Sequence, residues 1–576
     1  MHSIPARRKP PAALAVLAAW AAGVGAALAL ADLPGCHQPL AAPIAPADAD
    51  GAAPHRGGVL RLAATQDLRT LDPAGPADSL GVQAQQLIFA GLVDLDDQSR
   101  VVPDLAESWQ VEDGGQTYRF VLRQGVVMHD GQELTADDVK RSAERALHPS
   151  TPNPNASYFD GIAGYADFLG GRTEHLEGVV VDGRYAVSFH LSAPDATFLS
   201  ILAMHTLRPV CRTGGSRYVD TWLACGAGPF RLEQDGWQRG ASLRLVRHDA
   251  YFRPGLPYLD AVEWTFNMQP LPQRFRFESG DLDVLRDMTQ ADMGRYRADP
   301  RWQPLGKAEA DTNVFGESMN TRMPPFDNLE VRRAVAAAID REHYRLLSPG
   351  SVSVLTRLIP SGLPAYAGGE EQRYDYPAAL EHMRKAGYPF DPATGQGGWP
   401  KTITYPINDK GLLVYTAQVL QQELAKIGIR IEIRLMTWPA LMALQQRPGN
   451  VAISPGGWGM DYPDPSSFFE PLFTTGAIGP ESTYNSSFYS NPPFDALVAR
   501  AHRELDVPTR IALYAQANAI LCDDAPWAFT FSSHKYDLRQ PYVRGPLLHP
   551  VWGMDPTRSW IDRTGTALEQ AVGRPR

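Results

Sequence analysis

A chain of 576 residues is too long for one small core, so two or three domains are expected. Its 44% hydrophobic and 20% charged residues are ordinary globular values that leave no case for disorder. The net charge of -10, with no basic run beyond Arg7-Arg8-Lys9, argues against a nucleic-acid-binding surface.

The first element in the chain is a leader. Arg7-Arg8-Lys9 precedes an apolar Ala/Leu/Val stretch over residues 12–31 and then Leu33-Pro34-Gly35-Cys36, the order of an export signal. Leu33-Pro34-Gly35-Cys36 resembles a lipoprotein processing box with Cys36 as the lipidated first residue of the mature chain, although proline is an uncommon occupant of its second position. Two alternatives stand beside it: cleavage after Ala29-Leu30-Ala31, or an uncleaved anchor, since about 20 apolar residues can span a bilayer. Residues 37–56, rich in Ala, Pro and Asp, read as a flexible tether.

Beyond the tether, helices and strands alternate. Apolar and polar residues alternate over Val59–Ala63, 118–122, 185–191 and 242–246, as in half-buried strands. Thr135 with Asp138 three residues later is a capping box that opens a helix through Ala146. Helical patterns over 376–386 and 412–427 stop at Gly387 and Gly428, and 429–435 alternates strictly as a strand. With a strand at 402–405, the second helix makes a βαβ unit, so a partly parallel sheet is expected.

Three cysteines follow the leader. Cys211 and Cys225, in an exported chain, are expected to form a disulfide, with two independent buried thiols as the alternative. Cys522 shares a helical face with Ala519 and Ile520 and reads as a core thiol. No zinc-site spacing occurs and the histidines are scattered, so neither a metal nor a cofactor is expected. Nor is there a Gly-x-Ser-x-Gly elbow, a His-Glu-x-x-His helix, a phosphate loop, or a Gly-x-Gly-x-x-Gly after a strand. No residue set offers nucleophile, base and oxyanion donor together, so an enzyme is not expected.

The densest local signal is Gly456-Gly457-Trp458-Gly459-Met460-Asp461-Tyr462-Pro463-Asp464-Pro465. Its glycines permit close backbone approach, Trp458 offers a flat apolar wall, and Asp461 is a carboxylate that an amino group would match. An ordinary surface turn is the competing reading, because Gly, Pro and Asp also dominate turns.

This loop belongs to a longer set of blocks: Thr70-Leu71-Asp72-Pro73, Ile88-Phe89-Ala90-Gly91-Leu92, Pro103-Asp104-Leu105-Ala106-Glu107-Ser108-Trp109, Tyr118-Arg119-Phe120-Val121-Leu122-Arg123, His129-Asp130-Gly131, Gly226-Ala227-Gly228-Pro229-Phe230 and Pro324-Pro325-Phe326-Asp327-Asn328. Through them, over roughly residues 57–560, the chain resembles the periplasmic oligopeptide- and dipeptide-binding proteins of ABC importers, the extracellular solute-binding proteins of family 5. The resemblance implies two α/β lobes with a ligand cleft between them and a hinge, plus an inserted subdomain. Carried over, lobe I is 57–89, 192–311 and 530–576, the insert 90–191, and lobe II 312–529.

The resemblance also implies a function. A monomeric receptor would capture peptides and deliver them to a membrane permease whose ATPase is a separate chain. The Gly457-Trp458-Gly459 strand would pair with the peptide backbone, and Asp461 would hold the peptide's amino terminus. Trp438 falls where the family lines a side-chain pocket. Phe529 and Phe531 fall where it has aromatics near the ligand, one of the two being expected to face the cleft; a core role stands beside the ligand role for each aromatic. Some oligopeptide binders place an arginine at the position of Pro455, so a carboxylate anchor is unassigned. The same fold also serves receptors for nickel chelates, glutathione, opines and oligosaccharides, and a sensory or surface protein is a further alternative.

Overall fold

The computed structural model describes residues 53–219, 224–308, 312–363, 368–409, 412–447, 449–479 and 483–563. The leader, Cys36 and the tether up to residue 52 lie outside the described residues. Among the described residues no helix is long and apolar enough to cross a membrane.

The chain opens in a four-stranded sheet of spatial order Val59–Ala63, Ala261–Thr265, Ser242–Arg247, Phe230–Gln238, in which only the first pair is parallel. Between its first and last strands the chain leaves to form an antiparallel sheet of Ala106–Glu112, Thr117–Leu122, Ala186–His190 and Val179–Gly183. The helix Ala136–Leu147 covers this second sheet. Its start is fixed by the expected capping box, with Asp138 Oδ2 accepting from the Thr135 backbone N–H at 3.0 Å. A core of Tyr118, Phe120, Phe189, Val139 and Phe198 fills the space between them.

A third sheet carries the region of interest, in the order Val352–Val354, Trp527–Ser533, Asn313–Met319, Ile453–Gly459, antiparallel throughout. Apolar clusters cover both faces. Trp527, Phe529 and Val314 pack with Phe468, Phe469 and Phe473 on one side; Ala528, Phe531 and Met319 pack with Val331, Val335 and Leu420 on the other. Cover on both faces leaves every residue of Trp527–Ser533 except the last buried. Beside this sheet, Thr402–Asn408 and Arg430–Met436 pair in parallel around the helix Leu413–Ala425, the expected βαβ unit. Within that unit Gly428 follows the end of the helix at φ +79, and a Cβ there would meet the Phe390 ring at 2.5 Å, so the position takes no other residue without strain.

The boundary expected at residue 529 is corrected. Trp527–Ser533 stays in the third sheet to its last residue, pairing with both Asn313–Met319 and Val352–Val354, because its ladder of backbone hydrogen bonds runs on to Ser533. Only then does the chain return, and Tyr536–Arg539 pairs with Gly306–Ala308 in a separate three-stranded sheet with Val284–Leu285. The chain therefore passes between these two sheets twice, after Ala308 and after Ser533.

Cys522 also differs from its expectation. It lies on Val507–Asp524 half-buried rather than in the core, with its thiol on the Glu370 carbonyl at 3.4 Å, because the helix turns Leu513, Ala517 and Leu521 inward instead. Burial still pushes the thiol up to about 11.

Candidate functional site

Ile453–Gly459 is an edge strand, and its register decides which backbone groups are free. Met460 N–H donates to Thr312 O at 2.8 Å and Asn320 N–H to Ala452 O at 2.9 Å, one at each end of the pairing with Asn313–Met319. In an antiparallel ladder the bonded residues alternate, so Ser454, Gly456 and Trp458 bond inward, and Pro455, Gly457 and Gly459 turn their backbone groups outward. The outward Pro455 carbonyl is taken by Gln445 Nε2 at 2.6 Å. Gly457 and Gly459 are exposed, and they present a strand edge of the kind to which an extended peptide adds.

The residues beside this edge form a cleft of about 460 Å³. Trp438, at the start of the helix Trp438–Gln445 behind its Thr437 N-cap, is 55% exposed there, and Tyr484 is 59% exposed. Two large aromatics left half in solvent are available to pack on a ligand. Trp458 meets Tyr484 edge-on at 5.0 Å. The glycines have separate reasons to be there. A Cβ on Gly456 would lie 2.5 Å from the Trp527 ring and one on Gly457 3.0 Å from Phe315, whereas a Cβ on Gly459 would meet nothing within 4 Å. Among the described residues the lining includes no lysine or arginine.

Asp461 follows two residues beyond the strand's end. Its N–H donates to Ser467 Oγ at 3.0 Å, and its Oδ2 accepts from Tyr158 Oη at 2.6 Å, across 303 positions of sequence. No cation pairs with it among the described residues. Burial pushes its carboxyl above the ordinary aspartate value, opposed by the Tyr158 bond. An incoming ammonium would therefore find a partly dehydrated carboxylate awaiting a counter-charge.

Of the residues singled out in the sequence, Gly457, Trp458, Gly459 and Trp438 line one cleft and Asp461 continues from its strand. Phe529 and Phe531 do not join them. Phe315 and Gly316 face Phe531 and Phe529 respectively, leaving Thr530 as an extra residue, and this bulge breaks the alternation. The two rings consequently enter opposite cores, Phe529 against Phe473 and Phe531 stacked 4.8 Å behind Phe315, and the expectation that one faces the cleft is corrected. Cys211 and Cys225 are joined by a disulfide, with Cys211 N–H donating to the Cys225 carbonyl at 2.9 Å just before Gly226. Sequence reasoning missed Tyr158, Tyr484 and Gln445. None sits in a motif, and only the register of the edge strand and the packing of its neighbours reveals them.

Comparison with known proteins bears on the family. A model of the bacterial extracellular solute-binding proteins, family 5, matches residues 100–480. The probable ABC transporter periplasmic-binding protein SapA of Escherichia coli (strain K12) is 28% identical over 536 residues, covering 89% of this chain and 93% of the relative. The probable di/tripeptide-binding protein 5 of Pseudomonas aeruginosa (strain UCBPP-PA14) is also 28% identical, covering 80% and 88%. Among solved structures, clavulanic acid biosynthesis oligopeptide binding protein 2 superposes with a TM-score of 0.77 at 23% identity, covering 88% of this chain and 96% of that one, and shares the two-lobed α/β fold. With a family model matching two thirds of its length, the chain belongs to the bacterial extracellular solute-binding proteins of family 5, a family of binding receptors.

Proposed function

We propose that this chain is the extracytoplasmic peptide receptor of an ABC importer. A peptide would lie along the outer edge of Ile453–Gly459, pair with the backbone of Gly457 and Gly459, rest side chains against Trp438, Trp458 and Tyr484, and place its amino group at Asp461. The observation that carries this reading is the free strand edge running toward a dehydrated carboxylate that has no cation of its own. Backbone pairing is indifferent to side chains, so one cleft would accept many sequences. Among the described residues the lining includes no lysine or arginine, so a side chain for the peptide's carboxylate is left unassigned. The loaded receptor would dock on a permease driven by separate ATPase subunits, and the protein itself would hydrolyse nothing.

The deciding experiment is mass spectrometry of ligands released by denaturing protein purified from its own host. Peptides with free amino termini are expected. Recovery of only a metal chelate, an opine or an oligosaccharide overturns the reading. The same preparation tests the anchor, since a diacylated Cys36 at the mature amino terminus is expected; a chain beginning after Ala31, or one retaining the leader, refutes it.

A further inference from the structure

The inserted subdomain reaches the candidate site at Tyr158. Tyr158 lies in the short turn Ala156–Phe159, and its ring meets Tyr462 edge-on at 5.5 Å while its hydroxyl donates to Asp461. The seam continues away from the site. Ala196 N–H donates to His502 O at 2.8 Å, and the His502 ring sits 3.2 Å from Asp195 and 2.7 Å from Glu470. Burial works against charge on that imidazole, yet Glu470 and Asp195 hold its pKa up to about 9. Residues 195–196, in lobe I just past the insert, are thus held against lobe II by a cationic bridge at neutral pH.

Asp461 has room for a second donor. Tyr158 occupies Oδ2, and Oδ1 accepts no hydrogen bond from the described residues. A carboxylate offers about four acceptor positions, so an ammonium can bind while the phenol stays in place.

We propose that Tyr158 is a positioning residue for the ligand's amino group: it orients the Asp461 carboxylate from the insert, so the amine anchor is complete only when insert and lobe II are in contact. This rests on the peptide-receptor reading and deepens it, because it assigns the discrimination between free and blocked amino termini to two subdomains together. The physical logic is that of a desolvated ion. A carboxylate losing water needs a donor to remain charged, and a phenol supplies one without the counter-charge that would compete with the ligand. The groups around it fit this division of labour. Tyr462 flanks the contact, and Glu470 and Tyr484 act electrostatically on the Tyr158 hydroxyl, so no cation faces the carboxylate from these elements.

The test compares unaltered protein, Tyr158→Phe and Asp461→Asn by tryptophan-fluorescence titration with trialanine and N-acetyl-trialanine from pH 4 to 8, after thermal melts confirm folding. Trialanine is chosen because backbone pairing does not depend on side chains. Tyr158→Phe is expected to weaken trialanine about tenfold or more, to leave the acetylated peptide within about twofold, and to move the acid loss of trialanine binding to higher pH, since Asp461 loses a bond that favours its charged form. A purely structural role would weaken both peptides alike and leave the acid limb in place, and that result overturns the inference. If Asp461→Asn loses trialanine but Tyr158→Phe matches the unaltered protein in affinity and pH profile, the inference falls and the anchor reading stands. If Asp461→Asn is unchanged, or the unaltered protein binds neither peptide, the anchor reading falls and this inference with it.

Discussion

The side chain of Asn313 clips the backbone of Ser533 in both directions: its Nδ2 donates to Ser533 O at 2.6 Å, and its Oδ1 accepts from Ser533 N–H at 2.8 Å. Asn313 begins its strand in the third sheet and Ser533 ends its own. An amide side chain here does the work of one more backbone pair, at the place where both strands leave the third sheet.

Asn313→Ala removes both bonds and leaves the Ser533 amide and carbonyl without that partner. Chemical denaturation is expected to show a loss of about 1–3 kcal/mol, the usual range when partly buried hydrogen-bonding groups are orphaned. A change under about 0.5 kcal/mol would mean that water replaces the clip.

Glu317 should make stability fall as pH rises toward neutrality. Its carboxyl is buried in the third sheet, accepts from Tyr405 Oη at 2.6 Å and more weakly from Tyr344, and is pushed by burial up to about 7. A folded-state value above the unfolded one means the folded protein holds the proton longer, so stability declines between about pH 4.5 and 7. The decline is on the order of 3 kcal/mol. Glu317→Gln should flatten this part of the stability profile measured by urea unfolding. A slope that survives the substitution would assign it to other groups.

Asp461→Asn keeps the shape and removes the charge. Peptide affinity by calorimetry is expected to drop by about 2–5 kcal/mol, the cost of truncating a desolvated charge pair, with the melting temperature nearly unchanged. Unaltered affinity would remove Asp461 from the anchor.

The glycines of the edge strand should separate stability from binding. Gly456→Ala drives a methyl into the Trp527 ring and is expected to destabilise by about 1–3 kcal/mol. Gly459→Ala meets nothing and should stay within about 0.5 kcal/mol in a thermal or urea unfolding series. Equal costs would show that the strand relaxes around the first substitution.

Much of this protein is determined locally. The strand Val59–Ala63, the capping box at Thr135, the helix stop at Gly428 and the βαβ unit around Leu413–Ala425 follow from periodicities of 2 and 3.6 and from glycine at positive φ, because those rules act between residues near in sequence. The Gly456 to Pro465 block stands out by composition, which leaves a ligand-facing loop and an ordinary surface turn both open. Tertiary structure decided what no short window contains. The bulge at Thr530 depends on how Trp527–Ser533 registers against a partner more than 200 residues away, and it sends Phe529 and Phe531 into separate cores. The outward turn of Gly457 and Gly459 exists because Ile453–Gly459 has a partner on one side only. Tyr158 meets Asp461 across 303 positions, and such a contact follows from packing, which local pattern does not encode.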